Sequence, residues 1–336
     1  MSAILEKGGG TFRGLKLLLC ENPLPPLEEA IEAARAELGR SNLYTEARSQ
    51  PLLTLLAGKL NVPERLIHIN AGSELILRQI FDRLGQQTHL LTPTYALFPE
   101  ISRRYSQTLL NPELDFRFDL EQLQVPPGTS LVVIVNPNNP NGGTFDMRPL
   151  PELLRRHPGT YFLVDEAFIG MGGESVVPLV PAHTNLLVTR TLSKAHSLAG
   201  FRVGYAVLPP RLADDLNDHN DSYPLARPSQ AAAVATLENE EKIRARAEML
   251  KTWAADLARG LRDLNVRTYP TSTYFFLADF APWDASWLGG ELKRRGILVK
   301  PLNDPRLGPG LMRITTALPE DNVRLLAAIR EVRNDD

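Results

Sequence analysis

Three short apolar runs, each ending in polar chemistry, constrain this chain more than any other feature. Leu131-Val132-Val133-Ile134-Val135 leads into Asn136-Pro137-Asn138-Asn139-Pro140-Asn141-Gly142. Tyr161-Phe162-Leu163-Val164 leads into Asp165-Glu166-Ala167-Phe168, and the run from Asn185 to Val188 leads into Arg190-Thr191-Leu192-Ser193-Lys194. Runs that are apolar at every position suit strands covered on both faces, the setting of a parallel sheet. Polar turns at their carboxyl ends lie where open α/β sheets bind ligands. Strand and helix patterns alternate from about Leu52 to Ala235, so the expected fold class is α/β, with a mainly parallel sheet and helices on both faces.

The third run carries the most specific chemistry. Lys194 stands among the hydroxyls of Thr191 and Ser193, with Arg202 eight residues later, residue types suited to hydroxyl and bidentate contacts with an anion. A lysine that holds pyridoxal 5'-phosphate (PLP) needs such groups for the cofactor's phosphate. Asp165, at a buried strand end, needs a cationic partner, and a pyridinium N–H is one. Taken singly, the lysine segment is equally an ordinary strand-loop-strand with a solvated lysine, and Asn-Asn-Pro is a turn. Their order, each behind an apolar strand, joins them into one site.

These motifs resemble those of fold-type-I PLP enzymes of the aspartate aminotransferase superfamily, and within it the histidinol-phosphate aminotransferase family. The resemblance extends through Glu21-Asn22-Pro23-Leu24, Asn70-Ala71-Gly72-Ser73-Glu74, Thr92-Pro93-Thr94-Tyr95, Asp221-Ser222-Tyr223-Pro224, Gly296-Ile297-Leu298-Val299, Asp304-Pro305-Arg306-Leu307 and Met312-Arg313-Ile314-Thr315. It implies that Lys194 carries the cofactor and moves the substrate proton, that Asp165 pairs with the ring nitrogen, and that Asn139 bonds the phenolic oxygen beneath Tyr95. It implies a phosphate cup of Ser73, Glu74, Thr191, Ser193 and Arg202, completed in a homodimer by Tyr44 of the neighbouring subunit. Arg313 corresponds to the arginine that holds the substrate's anionic group, with Asn22 and His196 as further candidate substrate contacts. Phe168 stands beside the cofactor where many aminotransferases carry a tyrosine, and His196 and Tyr274 also depart from the family pattern at positions that are candidates for facing substrate.

Composition limits the alternatives. A chain of 336 residues with 43% hydrophobic content can bury two cores. A net charge of -2 with scattered Arg and Lys excludes a polyanion-binding surface and with it nucleic acid as a partner. The single cysteine, Cys20, excludes an internal disulfide framework and reads as a packing residue. Neither a membrane-length apolar run nor a signal-peptide core is expected, so the cytoplasm is the expected compartment. The six histidines lack metal-ligand spacing, and Gly8-Gly9-Gly10 lacks the context of a phosphate loop, so it reads as a flexible leader.

The expected domains are a large PLP-binding domain over 40–237 and a small α+β domain formed by 1–39 with 238–336. The latter holds a long amphipathic helix over Glu238 to about Leu264, a strand at Tyr274-Phe275-Phe276-Leu277 and a closing helix around Val323 to Val332. The function expected from the resemblance is transfer of an amino group from a small anionic amine, histidinol phosphate or an aromatic amino acid, to 2-oxoglutarate. The same fold also hosts lyases resembling threonine-phosphate decarboxylase and specialised-pathway cyclases, and Phe168 leans that way. A PLP-binding regulatory module would require a helix-turn-helix extension and a basic face.

Overall fold

This computed structural model describes residue 12 and residues 14–335, so the Gly8-Gly9-Gly10 leader lies outside the described residues. Two contact-dense units emerge. The larger comprises residues 24–139 and 143–248. Its seven strands are β1 (Ile67–Asn70), β2 (Thr88–Thr92), β3 (Tyr105–Leu109), β4 (Leu131–Val135), β5 (Tyr161–Asp165), β6 (Leu186–Thr191) and β7 (Gly204–Val207), in the spatial order β1-β7-β6-β5-β4-β2-β3. All pairs are parallel except those made by β7, which runs antiparallel to both β1 and β6. The segment between β6 and β7 holds only a short 3₁₀ turn, and the chain returns antiparallel.

The apolar runs become the sheet's centre. Every residue of β4 is buried, from Leu131 at 0% to Val135 at 3% exposure. Burial on both faces is worth about 1.5–3 kcal/mol per Val, Leu or Ile side chain, which is why such a run cannot rest at an edge. The helices of this unit include α1 (Glu28–Leu38), α2 (Gln50–Leu60), α3 (Ser73–Leu84) and α4 (Arg227–Glu238). On α3, Ile76, Leu77, Ile80 and Phe81 form one face and pack with Leu90, Leu131, Leu163 and Leu187 of the sheet.

The described residues of the smaller unit are 12, 14–23, 140–142 and 249–335. Its four-stranded antiparallel sheet has Phe275–Asp279 and Leu311–Thr315 at the centre, flanked by Arg267–Thr268 and Lys300–Pro301. Leu15–Lys16 pairs separately, in parallel, with Ile297–Leu298. The long helix α5 (Glu240–Arg262) contributes Leu257 and Leu261 to a core shared with Phe276, Leu288, Ile314 and Leu325. The closing helix spans Pro319–Asp335 and starts earlier than the apolar pattern suggests. Proline at its first position and the acidic Glu320 and Asp321 in its first turn suit a helix N-terminus.

The unit boundaries fall apart from those expected at 39/40 and 237/238. Helix α1 packs on α4, where Arg227 Nε donates to Glu37 Oε2 at 2.6 Å, and the first turns of α5 group with the larger unit. Among the described residues, no helix is long and apolar enough to cross a membrane.

Candidate active site

Strands β4, β5 and β6 lie side by side and parallel, so their carboxyl ends deliver Asn139, Asp165 and Lys194 to one edge of the sheet. Tyr95 reaches the same edge beyond β2, the other neighbour of β4. Asn138 Nδ2 donates to Pro93 O at 3.0 Å and ties the turn after β4 to the segment carrying Tyr95. Asn139 is 8% exposed, and the half-buried Tyr95 ring meets Phe98 edge-on at 5.8 Å. Lys194 Nζ lies 5.6 Å from the centre of the Phe168 ring, which is itself buried.

Asp165 is the electrostatic centre of this edge. Its pKa is pushed up to about 6, chiefly by burial, with the neighbouring Glu166 carboxylate adding to the rise. Opposing this, the Thr189 hydroxyl donates to Asp165 Oδ1 at 3.1 Å, the Ala167 N–H donates to the carboxylate, and the charge of Lys194 acts on it from beyond β6. Thr189 sits directly across the ladder from Asp165. Sequence reading does not single out Thr189, yet the two-residue period of a strand places it on the same face as Thr191.

The anion cup gathers around the start of α3. Gly72, its N-cap, has φ 89° and makes no side-chain cap, so the helix's first N–H groups stay open. A Cβ on Gly72 would overlap the Arg202 guanidinium, and one on Gly204 would overlap the Ser73 backbone nitrogen. The two glycines therefore admit an arginine and a strand against a helix N-terminus. Gly204 pairs with Thr191, whose Oγ1 donates to Ser193 Oγ at 2.9 Å and accepts from the Ser193 N–H at 3.1 Å. Helix N–H groups, a guanidinium and two hydroxyls suit a phosphate dianion, and Asp165 suits a pyridinium, so these residues fit PLP. The Glu74 carboxylate pairs with Arg78 at 2.9 Å, which leaves its backbone N–H as its contribution.

The remaining candidates have surroundings of their own. The Tyr44 side chain is exposed at 78%, stacked on Tyr223 with ring centres 4.5 Å apart. His196 lines a 320 Å³ cavity with Glu166, Arg190 and Tyr205, a cavity that Asp165, Asn139 and Tyr95 do not line. Its Nδ1 is buried with no hydrogen-bond partner, and burial, with the charge of Arg190, pushes its pKa down to about 4. In the smaller unit, Arg313 is 7% exposed on Leu311–Thr315, donates from Nη2 to Leu18 O at 2.5 Å and lies 5.7 Å from the Phe275 ring centre. Asn22 is half-buried in that unit's amino-terminal segment. Tyr274 is fully buried, with its hydroxyl donating to the carbonyl of the buried Cys20 at 2.6 Å, so that hydroxyl is engaged inside the smaller unit.

Comparison with known proteins agrees with this chemistry. The family Aminotransferase class I and II matches residues 15–329. A histidinol-phosphate aminotransferase of Gluconacetobacter diazotrophicus is 35% identical over 317 residues, 91% of this chain and 88% of that protein. One from Acinetobacter baumannii is 30% identical over 327 residues, 94% of this chain and 90% of the relative. In fold, the chain is similar to histidinol-phosphate aminotransferase from Sinorhizobium meliloti in complex with pyridoxal-5'-phosphate, with a TM-score of 0.85, 24% identity and coverage of 96% and 91% of the two chains. It is also similar to L-threonine-O-3-phosphate decarboxylase from Porphyromonas gingivalis, with a TM-score of 0.84, 20% identity and coverage of 95% and 99%. The chain belongs to the class I and II aminotransferases, within them to the histidinol-phosphate aminotransferase family, and is a PLP-dependent aminotransferase of fold type I.

Proposed function

We propose that the protein moves the amino group of histidinol phosphate, or of a related aromatic amino acid, to 2-oxoglutarate. The observation that carries this reading is the coincidence, at one sheet edge, of a buried Asp165 whose proton affinity is raised, Lys194 beyond the adjacent strand, and a helix N-terminus faced by Arg202. The curated relatives named for histidinol phosphate supply the substrate class.

Bound PLP supplies an aldehyde carbon for the incoming amine and a cationic ring that withdraws electrons from the bond being broken. The chain supplies the rest. Lys194 would hold the cofactor through Nζ, and its amine, when free, would move the proton at the substrate α-carbon. Asp165 would accept from the ring N–H and keep that nitrogen protonated, Asn139 would donate to the phenolic oxygen, and Tyr95 would cover the ring. Backbone N–H groups of Ser73 and Glu74, the hydroxyls of Thr191 and Ser193, and Arg202 hold the phosphate. Phe168 packs beside Lys194 without offering a hydroxyl. Arg313 grips the substrate's anionic group through its planar fork, with Asn22 and His196 as further substrate contacts. The exposed Tyr44 reaches the phosphate of a second copy, which makes the working unit a homodimer. A cytoplasmic location accords with a chain holding one cysteine.

The test is a half-reaction: PLP-loaded protein mixed with L-histidinol phosphate and no keto acid, followed by absorbance and mass spectrometry of the cofactor. Stoichiometric pyridoxamine phosphate is the expected result, and an unchanged cofactor removes histidinol phosphate from the substrate list. Phe168 favours one second reading, a decarboxylase of the threonine-phosphate type. Release of CO2 from a phosphorylated amino acid, without pyridoxamine phosphate, is its signature.

A further inference from the structure

We propose that Arg190, through its ion pair with Glu166, is a positioning residue for Asp165: the pair fastens the end of β5 to β6 on the sheet face opposite Thr189 and Thr191, and so sets where the Asp165 carboxylate stands. The inference rests on the reading of Asp165 as the partner of the cofactor's ring nitrogen.

The geometry begins with strand alternation. Thr189 and Thr191 point to the side of Asp165 and the anion cup, so Arg190 between them points to the other. There it meets Glu166, the residue after Asp165. Arg190 Nε and Nη2 lie 2.8 and 2.7 Å from Glu166 Oε2, while Ser175 Oγ donates to Oε2 at 2.9 Å and the Val176 N–H donates to Oε1 at 2.7 Å. Arg190 Nη2 also donates to Ser175 Oγ at 2.5 Å, and Nη1 to the Tyr205 hydroxyl of β7 at 3.4 Å. The Glu166 N–H bonds Thr189 O at 2.8 Å, extending the ladder one step past Asp165. The Glu166 side chain is 0% exposed and that of Arg190 15%, so neither can leave without stranding the other's charge. Asp165 is therefore held between a clamped neighbour and Thr189.

Glu166 of this pair also bears on the charge of Asp165. Among the ionised groups acting on Asp165 are Glu166, which favours its proton, and Lys194, which opposes it. With Glu166 neutralised by Arg190, removing either partner moves Asp165 in opposite directions. Arg190→Met leaves an unbalanced anion and raises its proton affinity; Glu166→Gln leaves an unbalanced cation and lowers it.

The experiment measures PLP affinity of the apoprotein, by fluorescence titration, from pH 5 to 8. The cofactor's own titrations are common to every variant and cancel in comparison. The acid limb is expected to move up by about one pH unit in Arg190→Met and down by about one in Glu166→Gln, with the double variant returning toward wild type. Should Arg190→Met fail to fold, Glu166→Gln, close to an isostere, decides alone: a downward shift supports the proposal and an unmoved limb overturns it. Shifts of the same sign in both single variants, or lowered thermal stability with no shift, also overturn it, because the pair then serves only the fold. An acid limb that stays in place in Asp165→Asn overturns instead the reading of Asp165 on which this proposal stands.

Discussion

Asp165 and Glu166 are adjacent carboxylates, 3% and 1% exposed, and the protein treats them in opposite ways. Glu166 receives a guanidinium, a hydroxyl and a backbone N–H on its own side of the sheet. Asp165 receives one hydroxyl and one backbone N–H, and the charge of Lys194 acts on it. A strand end thus turns one carboxylate into structure and its neighbour into a group waiting for a cation. Burial alone does not distinguish the two; the supply of donors does.

The comparison breaks most severely at Lys194. On the roles proposed for it, Lys194→Ala removes both the covalent anchor and the base, and kcat is expected to fall by about 10⁴-fold or more, read in single-turnover assays with saturating PLP. Cofactor absorbance should then report reversible binding without the lysine-linked band. A loss of only a few-fold would show that another group moves the proton.

The two carboxylates should answer amidation with opposite signs of stability. A carboxylic acid whose pKa is raised on folding, from 3.8 to about 6, makes the apoprotein lose stability as pH climbs through that interval. The folded state binds the proton there and the unfolded chain does not. Above pH 6 the cost levels off at about 3 kcal/mol, so Asp165→Asn should stabilise the apoprotein at pH 7.5 by up to about that amount while weakening PLP binding. Glu166→Gln strands Arg190 and should destabilise by about 3 kcal/mol. Urea unfolding of both apoproteins at pH 5 and 7.5 checks the pair: the Asp165→Asn gain should shrink at pH 5, and two variants of the same sign would mean that burial, not donor supply, governs both sites.

The contrast also explains what the sequence makes legible. Leu131–Val135 and Tyr161–Asp165 match the apolar runs because a strand buried on both faces has no polar position to hide. Asp165 and Lys194 are readable because charge at the end of such a run has few physical explanations. Glu166 and Arg190 escape notice, although strand alternation assigns them to one face, because an ion pair needs a ladder register that a single chain does not state. Tyr44 and Arg313 take their meaning only from the resemblance: one is an exposed ring, the other a buried strand residue of the smaller unit. The boundary after residue 23 is hidden too, since whether α1 joins α4 depends on packing, not composition.

The anion cup offers a milder test. Gly72→Ala forces a side chain into a left-handed backbone and against Arg202, so the start of α3 or the guanidinium must shift. About 1–2 kcal/mol of stability and about ten-fold in PLP affinity should be lost, measured by thermal unfolding and fluorescence titration. Inorganic phosphate should protect the wild-type apoprotein in the thermal melt more than it protects the variant. Equal protection would place the phosphate away from this helix start.

The smallest effect is expected at Phe168, and it bears on how far Lys194 differs from the carboxylates beneath it. The Phe168 ring packs 5.6 Å from Lys194 Nζ and presents no hydroxyl, so it contributes only the electron-rich face of the ring, which favours a nearby positive charge. Where Phe168 stands beside the cofactor as proposed, a tyrosine here would add a donor to the phenolic oxygen, stabilise negative charge on that oxygen and so weaken its hold on the proton of the lysine-linked nitrogen. In Phe168→Tyr the pH at which the loaded protein's absorbance changes should therefore drop by about one unit, with kcat altered by no more than a few-fold. If the transition does not move, the hydroxyl is not reaching the ring oxygen, and the place of Phe168 in the site has been misread; if it moves upward, the aromatic face rather than the oxygen controls the proton at Lys194.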